Sequence, residues 1–361
     1  MTSVALVNAS GPTDGITSAT ETYARTLARL GAEVTWYQCL DHGDVWHRDV
    51  SVPVRTVRGV GLPNRTLDMG VNRLWGFRRR LGPLPQDVVL LADPTLAGSA
   101  AGRRRTIVRV HDLRPLTPFA DRRLTRWMFR RALPKLRGAE RLLTASAAVA
   151  AELAEHAVDP GRVRVVPEMS LLGSHPEHVD ASVRRVTSTA TLRVLTVGTD
   201  RPYKNLRWVG EVARAAAASG GVGRVRFTVV SRLTDRNRRW FRQLGLDDLE
   251  LVEAAPSMES LYASHDVLLQ PSLYEGFGRP VLEALGFGMP VLATRIRSME
   301  ELLGPAGRLL DPTRVEPWQE ALSALTNPLE LAAAGRQALA RAQAFSPERF
   351  QERLASAVLG D

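Results

Sequence analysis

Short runs of apolar residues alternate along the chain with longer stretches in which apolar positions recur every three or four residues. The first pattern marks strands buried on both faces and the second marks amphipathic helices, so their alternation predicts parallel sheets covered by helices, the α/β class. In the first half the runs predict strands at Val4–Asn8, Val34–Gln38, Val88–Ala92, Thr106–His111, Leu142–Ala145 and Val163–Val166. A first helix is predicted from Ser18, where Glu21 three residues on completes a capping box and Tyr23, Leu27 and Leu30 form an apolar stripe. Val50–Gln86 has no clear period.

Ser170–Thr191 breaks the rhythm with Ser, Thr, His and charge, so residues 171–191 are expected to connect a first domain, 1–170, to a second, 192–345. A second series follows, with strands predicted at Leu192–Val197, Val225–Val230, Leu249–Val252, Val267–Gln270 and Val291–Ala293. Ser346 followed by Pro347 and Glu348 opens a final helix, 346–361, expected to pack back toward the first domain.

A length of 361 residues suits two cores, and 44% hydrophobic with 24% charged residues is a globular balance. The single cysteine, Cys39, excludes an internal disulfide or a cysteine-rich zinc site and is expected in the core; its solitude fits a reducing cytoplasm. No apolar run approaches the ~18 residues of a membrane span and nothing addresses the chain for export, so a cytoplasmic location is expected.

The net charge of +10 is placed unevenly. Arg78 to Arg80, Arg103 to Arg105, Arg122, Arg123, Arg126, Arg130, Arg131, Lys135, Arg137 and Arg141 all precede residue 142. On a helix, Arg123, Arg126, Arg130 and Arg137 share one face, with Leu124, Trp127, Met128 and Leu136 opposite. Two readings stand: a solvated helix packed on its own domain, or one docked on an anionic membrane at the inner face. No nucleic-acid-binding module accompanies the charge, so nucleic acid is not expected as a partner.

Candidate chemistry centres on Pro271-Ser-Leu-Tyr-Glu-Gly-Phe-Gly-Arg-Pro-Val-Leu-Glu283, between a strand ending at Gln270 and a helix starting near Pro280. Gly276 and Gly278 allow a tight turn with uncovered amides, and the helix that follows points its positive end there, which suits a diphosphate. Glu275 and Glu283, with seven residues between them, can accept hydrogen bonds from the hydroxyls of a sugar or ribose.

With Ala293-Thr294 and Ser298-Met-Glu-Glu301, this segment resembles the donor-binding signature of the retaining glycosyltransferases of family four, which have the GT-B fold of two Rossmann-like domains facing across a cleft. The resemblance implies that Glu275 meets the transferred sugar, Glu283 the nucleotide ribose, and the backbone of Gly276, Phe277 and Gly278 the sugar and phosphates. Val197-Gly198-Thr-Asp-Arg-Pro-Tyr-Lys204-Asn205-Leu206 is similar to the family's phosphate element. There Gly198, Thr199 and Asn205 would line the donor and Lys204 would neutralise the departing diphosphate. Val108-Arg-Val-His111-Asp112-Leu113 resembles the family's His-Asp-Leu segment and implies that His111 contacts the donor sugar or the acceptor.

The expected catalytic set is therefore Glu275, His111 and Lys204. The resemblance also implies a preformed GDP- or UDP-linked hexose as substrate, with mannose favoured, no separate cofactor and no metal. Asp247-Asp248 is expected as a solvated turn. A hydroxyl of a glycan, a lipid-linked sugar or a small molecule would be the acceptor. The sequence departs from the family at Thr199, where relatives place arginine, at Glu168-Met169 in place of an asparagine-glycine turn, and at Gly11–Gly15, which lacks paired glycines. These departures encourage a competing reading, a non-catalytic GT-B protein that binds sugar nucleotides or scaffolds partners; a second, a related GT-B epimerase or phosphorylase, would not be expected to carry this glutamate pair.

Overall fold

The computed structural model describes residues 1–11, 15–100, 105–120, 123–218, 224–255 and 257–360. Its chain forms two units, Met1–Glu168 with Glu348–Asp361, and Met169–Pro347. Each is a parallel sheet flanked by helices.

The first unit holds β1 (Ser3–Asn8), β2 (Glu33–Leu40), β3 (Val54–Arg58), β4 (Val88–Leu91), β5 (Thr106–Val110), β6 (Arg141–Thr144) and β7 (Val163–Val165), ordered β3-β2-β1-β4-β5-β6-β7. Val7, Leu91, Val108, Val110 and Leu142 join its core. Cys39 is buried there, which pushes its thiol up to about 12. The unpredicted β3 is an edge strand exposed at most positions, so it carries no apolar pattern to read.

The first helix spans Gly15–Arg29 and buries Tyr23, Ala24 and Leu27. It begins before Ser18, so the expected capping box does not form: the Ser18 carbonyl accepts the Thr22 hydroxyl at 3.1 Å, and Glu21 pairs with Arg25 and Arg48. Residues 12–14 of the loop before it, and Arg103, Arg104 and Arg122 of the basic series, lie outside the described residues.

The basic helix spans Arg123–Leu136 and buries Met128, Phe129, Ala132 and Leu136. Two expectations need correction. Trp127 is not on the buried face but 39% exposed, with the Arg131 guanidinium 5.0 Å from its ring, and Arg137 falls beyond the helix end. Among the described residues no helix is long and apolar enough to cross a membrane.

Glu168, where the first unit ends, accepts Arg109 at 2.6 Å. The guanidinium, 2% exposed, also lies 4.4 Å from the Tyr23 ring, whose edge meets Phe350. Phe350 belongs to the Pro347–Val358 helix, whose terminal carbonyls on Ser356 and Ala357 accept Arg141 at 2.7 and 3.0 Å.

The second unit orders its strands β10-β9-β8-β11-β12-β13: β8 (Thr191–Val197), β9 (Arg224–Val230), β10 (Leu249–Val252), β11 (Val267–Gln270), β12 (Val291–Thr294) and β13 (Gly307–Leu310). The unpredicted β13 is a half-buried edge. Asp248, expected in a solvated turn, accepts Arg224 and Arg226 at 2.7 and 3.3 Å.

Much of the stretch read as a connection is instead a helix, Glu177–Thr189, which buries His178, Val179, Ser182 and Val186. Its inward face is partly polar because its polar atoms find partners. The two ring nitrogens of His178 stand 2.9 Å from the carbonyl oxygens of Phe287 and His265.

Candidate functional site

In the second unit the strand order reverses between β8 and β11: from β8 the chain proceeds outward to β9 and β10, and from β11 the other way to β12 and β13. Loops leaving the carboxyl ends of two such strands diverge to opposite faces of the sheet and leave a crevice, where ligands of open α/β sheets bind. Both donor-like segments leave from these two strands.

The β8 loop runs through Gly198 and the exposed Thr199 to a single 3-10 turn, Pro202–Lys204. Asn205 ends that turn in the left-handed region, φ +50°, and the Leu206–Ala218 helix follows. The left-handed residue reverses the chain so that Lys204 points back over the strand end. The β11 loop is tied to it by the Leu273 amide, which donates to the Tyr203 carbonyl at 2.7 Å.

Across this junction Lys204 Nζ lies 2.6 Å from Glu275 Oε1. Their side chains are 13% and 9% exposed, so the contact is little screened by water. The same oxygen accepts Gln270 Nε2 at 2.9 Å, and that amide also reaches Ser272 Oγ at 2.8 Å. Gln270 is buried at the end of an otherwise apolar strand, and the sequence reading missed it. A polar residue closing an apolar run was its one signal.

The Arg279–Gly286 helix takes Gly278 as its N-cap and Pro280 in its first turn. Gly278 sits at φ +110°, and a Cβ there would meet Met299 Cε at 2.5 Å. The backbone conformation favours glycine, and a side chain there would also have to displace the end of Met299 on the Arg297–Leu303 helix. The Phe277 ring turns into the unit, edge-on to Phe345 with centroids 5.8 Å apart, so it offers a ligand its backbone and not its ring.

Glu283, the fifth residue of that helix, accepts the Tyr262 hydroxyl at 2.8 Å and stands 4.0 Å from the Arg279 guanidinium. Burial, then the Glu283 charge, hold the Tyr262 hydroxyl well above its ordinary value. Tyr262 also went unread in the sequence, where it looks like any apolar-face aromatic.

The structure thus places Gly198, Thr199, Lys204, Asn205, Glu275, Gly276, Phe277 and Gly278 on two loops of one unit, and Glu283 on the helix that follows the second. His111 belongs to the first unit, directly after β5, with Nε2 3.1 Å from the Ala92 carbonyl oxygen beyond β4. One ring position is thereby held by the neighbouring strand end. Among the described residues no group of three or more His, Cys, Asp or Glu side chains is placed to hold a metal. The arrangement offers one ammonium, a glycine turn and a helix N-terminus toward an anion, with carboxylates on either side for hydroxyls.

Comparison with known proteins agrees in both halves. Residues 191–327 match the family described as glycosyl transferases group 1, and residues 13–168 match glycosyltransferase family 4. The MMP alpha-(1->4)-mannosyltransferase of Mycolicibacterium hassiacum is 31% identical over 212 residues, 56% of this chain and 49% of that protein. Two other curated relatives, an O-antigen chain mannosyltransferase B of Escherichia coli and a D-inositol 3-phosphate glycosyltransferase of Pseudarthrobacter chlorophenolicus, are matched over 33% and 52% of their length. The sucrose-phosphate synthase of Thermosynechococcus elongatus superposes with a TM-score of 0.80 at 19% identity, covering 99% of this chain and 98% of that one. Anabaena HepE in complex with UDP-glucose superposes at 0.74 with 16% identity, covering 99% of each. With two Rossmann-like units of the GT-B type and family matches across both, the chain belongs to the glycosyltransferases of family four.

Proposed function

We propose that this chain moves a hexose from a nucleoside-diphosphate sugar to a hydroxyl of a glycan, glycolipid or small molecule with retention of the anomeric configuration. The observation that carries the reading is the Lys204 to Glu275 contact, set across the two strand ends where the sheet reverses and beside the Gly278 turn.

On this reading the diphosphate lies against Lys204 and the Gly276 to Gly278 amides, and Glu283 takes the ribose. Glu275 meets the sugar, and His111 meets the sugar or the acceptor. The bond between the anomeric carbon and the phosphate oxygen breaks while the acceptor oxygen bonds to the same face of that carbon. The acceptor proton leaves with the phosphate. Lys204 and the amides supply the countercharge at the leaving group, so the reading requires no metal. The matched mannosyltransferase favours a mannosyl donor, and the HepE complex supports UDP-linked sugars as an alternative.

The test is release of GDP or UDP from GDP-mannose or UDP-glucose by the purified chain across an acceptor panel, with the product anomer assigned by NMR. Release with an axial product supports the reading. Tight binding of both nucleotides without release for any acceptor favours a non-catalytic binder.

Peripheral attachment to an anionic membrane belongs to the same reading. Trp75 and Trp127 are 46% and 39% exposed in the first unit, each beside an arginine: Arg79 at 5.7 Å and Arg131 at 5.0 Å. Amphipathic rings beside cations suit the interface of an anionic bilayer, where a lipid-linked acceptor would be found.

A further inference from the structure

We infer that Tyr262 is a positioning residue for the ribose end of the donor, acting by holding the Glu283 carboxylate in one orientation; this rests on Glu283 being the ribose contact. Tyr262 lies on the Met258–Ala263 helix and is fully buried, so it does not itself touch a ligand. Its ring stacks on Phe287 with centroids 5.6 Å apart and planes 25° from parallel. Its hydroxyl donates to Glu283 Oε2 at 2.8 Å and lies 3.3 Å from the Pro280 carbonyl oxygen. Pro280 sits in the first turn of the Arg279–Gly286 helix and Phe287 caps its end, so one side chain braces both ends of the helix that carries Glu283.

The last torsion of a glutamate is broad, and an unbraced carboxylate would sample many planes. Two neighbouring ribose hydroxyls donate well only to a carboxylate whose plane is set for both. A donor bonded to one carboxylate oxygen from the protein side removes that freedom before the ligand arrives, and bonds to a charged acceptor are the strong ones. Burial, then the Glu283 charge, hold the hydroxyl well above its ordinary value, which favours its role as a donor.

The test measures UDP, GDP and their 2′-deoxy counterparts by calorimetry against the wild-type chain, Tyr262→Phe and Glu283→Gln. Tyr262→Phe retains the ring and its stacking. We expect it to weaken the ribonucleotides roughly three- to tenfold while leaving the 2′-deoxy forms nearly unchanged, so that the ribose preference collapses. The preference is a ratio within one variant, so a loss of folded protein cancels. A Tyr262→Phe variant with the wild-type preference, whatever its thermal midpoint, overturns the inference and leaves Tyr262 a packing residue. If Glu283→Gln also keeps the wild-type preference, the ribose assignment of Glu283 itself fails, and the inference with it.

Discussion

Lys204 Nζ and Glu275 Oε1 stand 2.6 Å apart although they lie 71 positions apart in the chain, because β8 and β11 are neighbours in the sheet. With no ligand the two charges satisfy each other. On the proposed reading, a diphosphate that draws Lys204 away would leave Glu275 to Gln270 and to the incoming sugar.

Lys204→Ala is therefore expected to lower kcat by about 10²–10³-fold, the usual effect of losing one preorganised charge at a leaving group. Glu275→Ala should abolish transfer with the fold intact. Steady-state kinetics beside circular dichroism checks both, and full activity in either purified variant removes that residue from the mechanism. On the proposed reading Lys204 and the amides would carry the countercharge, so addition of EDTA should leave the wild-type rate unchanged.

Gly278→Ala places a side chain at φ +110° and against Met299 Cε. The backbone strain alone should cost about 1–3 kcal/mol. Adding Met299→Ala relieves the clash but not the strain, so urea unfolding should find the double variant still less stable than Met299→Ala alone. Equal stability of those two would show that the turn tolerates a side chain.

Glu168→Ala leaves the 2% exposed Arg109 guanidinium without its carboxylate. Removing one partner of a buried pair costs about 3–5 kcal/mol, whereas replacing both with apolar residues costs much less. A Glu168→Leu, Arg109→Met double variant more stable than Glu168→Ala is the expected result; a lower urea midpoint for the double variant would count against it.

His178 and His265 are both held below the ordinary 6.5, in each case chiefly by burial, which outweighs the carbonyls their ring nitrogens face. Asp266 pushes both upward and Arg185 both downward, with Arg193 also lowering His265. Because the unfolded chain takes protons more readily than the folded one, their contribution is complete above about 6.5 and declines as pH falls below it. Urea midpoints should drop between about pH 8 and about pH 5, and His178→Gln should drop less. A wild-type slope in that variant would clear His178.

For the membrane reading, the chain should cosediment with vesicles containing phosphatidylglycerol and not with phosphatidylcholine alone, and added salt should release it. Trp75→Ala with Trp127→Ala should weaken binding without changing the charge. Indifference to lipid charge would defeat the idea.

Local patterns were legible where burial is two-sided or a backbone conformation is special. The central strands β1, β4, β5, β8 and β11 read directly because apolar runs mark them, and the Glu275 to Glu283 turn read because the backbone at Gly278 favours glycine. Edge strands β3 and β13 did not read, whereas the edges β7 and β10 did as short apolar runs; β13 is no more exposed than β10, but it opens on Gly307 and Arg308 and shows only two apolar positions. The Glu177–Thr189 helix hid because its buried histidine and serine look polar until their partners are known. Sequence alone thus determined the fold class, the glycine turn and which loops hold the candidate residues, all properties of short segments. Which of those segments meet was decided by strand order: it put Lys204 on Glu275, Gln270 beneath that carboxylate and Tyr262 beneath Glu283. Contacts between distant residues depend on neighbours in the sheet, and no local pattern encodes them.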